Sequence, residues 1–103
     1  MFVSVQVLGQ DKLSAVKTTT AMTIDGLANE AVWAKCTWYT MDQAWLFALP
    51  PASDFTGNYK VAWDQNYIYL LAEITDDIIS DDHAAPLTQW YDDDCLEVFL
   101  DEN

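Results

Sequence analysis

Apolar and polar positions alternate with a period of two along much of this chain, the pattern of half-buried strands rather than of helices. Val3, Val5 and Val7 alternate with Ser4 and Gln6 and predict a first strand. Residues 18–24 are threonine-rich and β-prone, and Asp25 and Gly26 punctuate them as a turn. Residues 29–35 predict a brief helix capped by Asn29, with Ala28, Val32 and Trp33 packing inward. Residues 38–47 are aromatic and irregular, and the stretch from Pro50 to Asp54 reads as a loop because two prolines fix the backbone and remove donors.

The strongest local signal lies between Tyr59 and Thr75. Tyr59, Val61 and Trp63 share one face of a strand, while Ile68, Leu70, Ala72 and Ile74 share one face of the next. Asp64, Gln65 and Asn66 form a short polar connection between them, so a hairpin is expected. A further strand is expected over residues 95–101, with Leu96, Val98 and Leu100 on one side and Cys95, Glu97, Phe99 and Asp101 on the other. Short strands separated by Asp/Pro loops predict an all-β fold, an antiparallel β-sandwich, in a single domain over residues 1–103. Trp33 and Trp63 are expected in its core, and Cys95 is expected as a small buried apolar residue.

Composition narrows the partners. Four lysines and no arginine face 17 acids, for a formal net charge of −13. Such a surface repels phosphate backbones and anionic lipid heads, which argues against nucleic acid and membrane-surface partners and leaves neutral ligands and divalent cations. All four lysines lie within the first sixty residues, and from Val61 onward there are acids and no base. No apolar run approaches the roughly 20 residues of a membrane span. Residues 1–10 have neither the basic start nor the apolar centre of a secretory leader. Two cysteines, Cys36 and Cys95, are too few for a disulfide framework.

Several separated blocks carry a family resemblance. Ile24, Asp25 and Gly26 are followed by Glu30, Ala31, Val32 and Trp33. The run YKVAWDQNYIY then spans residues 59–69, and WYDDDCLEVFLDEN closes the chain at residues 90–103. In order and spacing these blocks resemble the family 9 carbohydrate-binding module. The resemblance implies a non-catalytic β-sandwich of the DOMON-like class (immunoglobulin- or jelly-roll-like) that binds a polysaccharide or oligosaccharide, carries structural calcium and works outside the cell or in the periplasm. Members continue beyond the block that here ends at Asn103. The expectation is therefore the N-terminal half of a sandwich, incomplete in one chain, whose core is covered by a second copy in a homodimer or higher homo-oligomer.

The family's first stacking tryptophan lies three residues before an Asp-x-x-Glu segment. Counting back from Asp94 and Glu97 reaches Tyr91, with Trp90 one residue further, so both are candidates. Flat aromatics offer rigid area to the C–H faces of a sugar, and neighbouring carboxylates such as Asp93 and Glu97 accept bonds from its hydroxyls. For calcium, which takes about six to eight hard oxygen ligands, the candidates are Asp76, Asp77 and Asp94. Catalysis has little support. Adjacent aspartates on a strand point to opposite faces, and His83 sits in an Asp/Ala/Pro loop with no nucleophile pattern beside it, so it is expected as a solvated loop residue. Haem binding would need ligands from His83, Met22 or Met41, none of which lies in a ligating motif. A purely structural, oligomerising role without sugar binding is the remaining alternative.

Overall fold

The computed structural model describes residues 12–43, 48–85, 87–88 and 93–100. The expected first strand around Val3, Val5 and Val7 lies outside them. The described chain is all-β apart from one short helix. In order it forms β1 (Val16–Lys17), a 3-10 helix (Ala31–Lys35), β2 (Tyr39–Thr40), β3 (Phe55–Trp63) and β4 (Ile68–Asp76). The strands make one open sheet. β3 is central, β4 runs antiparallel along the whole of one side, and β1 and β2 divide the other side between them. β2 is antiparallel to β3, whereas β1 joins in parallel, Val16 beside Ala62 and Lys17 beside Trp63. β4 pairs with no described strand other than β3, so the sheet is not closed and the architecture is a partial sandwich.

The hairpin forms where the pattern puts it, and Asp64 explains why. Its Oδ1 accepts the backbone N–H groups of Asn66 (2.7 Å) and Tyr67 (2.8 Å), its Oδ2 accepts the Tyr69 hydroxyl at 2.6 Å, and its own N–H donates to the Tyr67 carbonyl at 2.9 Å. One aspartate thus satisfies the donors of the turn and pins it to the following strand. The register pairs Tyr59 with Ala72, Val61 with Leu70 and Trp63 with Ile68. Side chains opposite one another in this ladder point to the same side, so two faces can be followed across the sheet.

Both faces carry core. On one, Ala62 is fully buried with Val32, Trp33 and Cys36 of the helical segment, and Val16, Met22, Tyr69 and Leu71 pack around them. On the other, Met41, Tyr59 and Val61 are buried against Tyr39, Phe55 and Ala72. The second face is only half covered. Trp63 is 38 % exposed, Leu70 38 %, Ile74 45 % and Ile68 65 %. Ile68, Leu70, Ala72 and Ile74 share one face as expected, but that face is largely exposed, and Tyr69 and Leu71 on the opposite face pack against the first cluster. The run from Ile68 to Ala72 is apolar throughout, so periodicity alone cannot choose its buried side. Trp63 is likewise not a core residue, because the Lys17 ammonium, 5.2 Å from its ring centre, is what covers it.

The remaining differences have local causes. Residues 18–24 pair only at their start, where the Thr18 N–H donates to the Trp63 carbonyl at 2.8 Å. Beyond it, the Thr18 hydroxyl bonds the Thr20 carbonyl and N–H, turning the chain away from the sheet. The short helix begins after Glu30 rather than Asn29, and Ala28, expected to pack inward, precedes it and is exposed. Residues 95–100 are not a strand. A strand exists through the ladder it shares with a neighbour, and no described strand offers this segment one. Leu96, Val98, Phe99 and Leu100 are exposed, as is Cys95, which is accordingly not a buried residue; Asp101 lies outside the described residues.

Candidate functional site

The blocks that carried the family resemblance have identifiable structural tasks. Gly26 has φ of 81°, a left-handed conformation suited to glycine, and the Asp25 Oδ1 accepts the Leu27 N–H at 2.9 Å across that turn. Glu30 fastens the helix start to the preceding loop: one carboxylate oxygen accepts the Trp33 indole N–H at 3.0 Å and the other the Thr23 N–H at 3.2 Å. Lys60 reaches from β3 to the Trp33 carbonyl at 2.7 Å, and its ammonium lies 4.4 Å from the centre of the Trp38 ring. These contacts hold the helical segment on the sheet, and with it the buried indole of Trp33.

The candidate ligand residues belong to the acidic stretch after β4. Trp90 and Tyr91 lie outside the described residues. Asp93 is half-buried and heavily used. Its Oδ1 accepts the Asp82 N–H at 2.8 Å, its Oδ2 accepts the His83 N–H at 3.1 Å, and the His83 Nδ1 lies 3.0 Å from Oδ1. The His83 partnership and these backbone donors hold the Asp93 carboxyl below the usual carboxylate range. His83 is therefore not simply a solvated loop residue but half of a clasp between two loops. Asp94 completes the clasp, accepting the Ser80 N–H at 2.7 Å on Oδ2 while its own N–H donates to the Ser80 carbonyl at 2.9 Å. Glu97 is half-buried, with the Cys95 Sγ 3.9 Å from its Oε1.

The three calcium candidates are not gathered together. Asp76 Oδ1 faces the Ile78 N–H at 3.4 Å, the Asp77 N–H donates to the Asp54 carbonyl at 3.1 Å, and Asp94 is engaged with Ser80. Among the described residues no three His, Cys, Asp or Glu side chains converge as a metal site would require. Of the three, only Asp94 joins two loops through its side chain, while Asp76 bonds within its own turn. What sequence reasoning missed is the clasp. His83 and Asp93 are separated by nine residues of which only Asp92 is acidic, and nothing in their spacing marks them as partners.

Two depressions lie away from this stretch. A groove of about 270 Å³ runs beside β2 and β3 and is lined chiefly by Met41, Leu49, Pro50 and Phe55. A more polar bowl of about 390 Å³ lies between the loop after β1 and the β3–β4 turn. At that turn the Tyr69 hydroxyl, held by Asp64, has its pKa pushed from 10.0 up to about 12, first by the bond to Asp64, then by burial and the carboxylate's charge. The Asp64 carboxyl is lowered by the same bond. The stability that Tyr69 contributes is present in full below pH 10 and is lost as pH rises from about 10 to 12; that of Asp64 is present above its unfolded value near 3.8 and is lost as pH falls below it. Burial, with Tyr39 and Asp42 nearby, also raises Tyr59, so ultraviolet titration should show late-ionising tyrosines of which Asp64→Asn brings only Tyr69 back toward the ordinary range. An unchanged titration curve would mean that the Asp64–Tyr69 bond does not form.

Among the described residues no helix is long and apolar enough to cross a membrane. The chain is similar to parts of much larger proteins. It is 40 % identical over 48 residues to the endo-1,4-beta-xylanase A of Thermotoga maritima, covering 47 % of this chain and 4 % of that protein. It is 32 % identical over 80 residues to the exoglucanase XynX of Acetivibrio thermocellus, covering 78 % of this chain and 6 % of that protein. To the endo-1,4-beta-xylanase A of Thermoanaerobacterium saccharolyticum it is 38 % identical over 48 residues, 47 % of this chain and 4 % of that protein. No solved structure matches it. The match of residues 24–103 to the carbohydrate family 9 binding domain-like model spans both the pinned helical segment and the acidic stretch, and the chain belongs to that family of non-catalytic carbohydrate-binding modules.

Proposed function

We propose that this chain holds a β-1,4-linked xylose or glucose polymer without cleaving it, stacking a sugar ring on Trp90 or Tyr91 while Asp93 and Glu97 accept hydroxyl hydrogen bonds. The observation that carries the reading is the family match across residues 24–103, which includes this aromatic and acidic segment. The names of the relatives, two endo-1,4-beta-xylanases and an exoglucanase, support the choice of a xylose or glucose polymer. The clasp supports a role for Asp93. A carboxylate has about four lone-pair directions, so after its bonds to Asp82 and His83 it keeps capacity for one more donor. Affinity is expected to be weak, since ordered water must be displaced from both partners. The proposed setting is extracellular or periplasmic, where such polymers occur.

Calorimetry with xylan- and glucan-derived oligosaccharides tests this directly. Saturable binding, with no release of sugar on prolonged incubation, is the expected result; no binding to either series removes the reading.

Two companion proposals rest on the same family. Calcium would be held by Asp76, Asp77 and Asp94 after they regroup. The melting temperature should then rise with added Ca²⁺, by the equivalent of roughly 2.7 kcal/mol at a hundredfold excess over Kd. An unmoved melting temperature sinks it. A second copy is proposed to cover the exposed side of β4, where Ile68, Leu70 and Ile74 stand beside Trp63. Light scattering should find twice the monomer mass or more, and a stable monomer at micromolar concentration overturns that arrangement.

A further inference from the structure

The polar bowl beside the β3–β4 turn has no task in the fold or in the site considered so far. Its walls are Lys17, Thr19 and Thr20 after β1 and Asp64, Gln65 and Asn66 in the turn. It is a shallow depression, open to solvent, of about 390 Å³. Both walls are fixed. The Thr18 N–H joins the first to the Trp63 carbonyl at 2.8 Å, and Asp64 locks the second through Asn66, Tyr67 and Tyr69. A ligand entering here would have little backbone to order.

The lining chemistry narrows the ligand class. Asp64 already accepts three hydrogen bonds, which leaves a metal ion little of its carboxylate. Lys17 is the only cation, its ammonium lies over Trp63, and the chain carries a net charge of −13, so a phosphate or other anion finds no clamp. What remains exposed is a set of two hydroxyls and two carboxamides, Thr19, Thr20, Gln65 and Asn66, groups that both donate and accept. Paired donor–acceptor groups suit a neutral polyhydroxylated ligand, whose hydroxyls need both kinds of partner.

We propose that this bowl is a second saccharide contact point, separate from the Trp90–Tyr91 segment, where Thr19, Thr20, Gln65 and Asn66 hydrogen-bond the hydroxyls of a neutral sugar unit. The inference rests on the carbohydrate-binding reading above and adds to it a subsite formed by residues before the family match and residues in its middle. It also gives the exposed threonines after β1 a role that strand formation does not.

Backbone amide NMR during titration with xylohexaose and cellohexaose tests it in three proteins: the unaltered chain, Thr19→Ala/Gln65→Ala, and Trp90→Ala/Tyr91→Ala. Neither Thr19 nor Gln65 anchors the turn, so the first variant should keep the parent melting temperature. The expected result is a shift of the amides of residues 18–21 and 65–66 in the unaltered chain, and a Kd raised roughly three- to tenfold in Thr19→Ala/Gln65→Ala. The same shifts should persist in Trp90→Ala/Tyr91→Ala, which isolates the bowl from the aromatic segment. Sugar binding that leaves the bowl amides still and is untouched by Thr19→Ala/Gln65→Ala overturns the subsite while sparing the main reading. Absence of any binding in the unaltered chain overturns both.

Discussion

Trp33→Ala is expected to cost about 3–5 kcal/mol of folding stability, the range for truncating a buried large aromatic. Trp33 is 7 % exposed and packs with Val32, Cys36 and Ala62, the group that covers one face of the sheet. Its indole also donates to Glu30, so truncation leaves that carboxylate without the bond that secures the helix start. Against a total stability of about 5–15 kcal/mol for a domain, such a loss is a large fraction, and the variant should unfold at much lower urea concentration or fail to give a cooperative transition. Trp33→Phe keeps most of the packing and removes the indole bond, so it should cost about 1 kcal/mol beyond a modest volume loss. Circular dichroism during urea titration compares the two. A midpoint for Trp33→Ala within error of the parent protein would show that the helical segment does not cover Ala62.

Trp90→Ala/Tyr91→Ala is expected to weaken saccharide binding by about 2 kcal/mol or more, roughly thirtyfold, while leaving the melting temperature close to the parent value. A stacked aromatic supplies rigid area at little entropic cost, and polar contacts cannot replace that area once it is truncated. The single variants then resolve the one-residue choice between Trp90 and Tyr91: the platform residue should account for most of the loss and the other for little. Calorimetry against the same oligosaccharides is the measurement. Equal affinity in the double variant would remove this segment from the site while leaving family membership intact. Asp93→Ala is a poorer probe, because it also cuts the bonds to Asp82 and His83 and loosens the clasp.

The hairpin was legible because its information is local. The Asp64 side chain closes the turn over Gln65 and Asn66, and the alternation on either side fixes an antiparallel ladder. The inward position of Val32 and Trp33 was legible for the same reason. Residues 95–100 are β-prone and put Leu96, Val98 and Leu100 on one side, yet they form no strand, since such a pattern states only that a segment could lie in a sheet and the neighbour that would pair with it is a separate requirement. The shared face of Ile68, Leu70, Ala72 and Ile74 was legible too, but not whether it is covered, since Tyr69 and Leu71 on the other side are also able to pack. The candidate site divides likewise. Its acidic and aromatic character stands in the linear sequence, whereas the loop joined by Ser80, His83, Asp93 and Asp94 depends on contacts between residues 10 to 14 positions apart.

By itself the sequence determined the all-β class, the central hairpin, the strongly negative surface and the family, because each of these is written in composition, short-range periodicity or the order of local motifs. The tertiary structure alone decided which side of β4 is buried, that Trp63 lies under Lys17 rather than in the core, and that Asp93 and Asp94 are fastened to the Ser80–His83 loop. Those outcomes depend on which distant surfaces come together, and the pairing free energy of two surfaces is a property of neither segment alone.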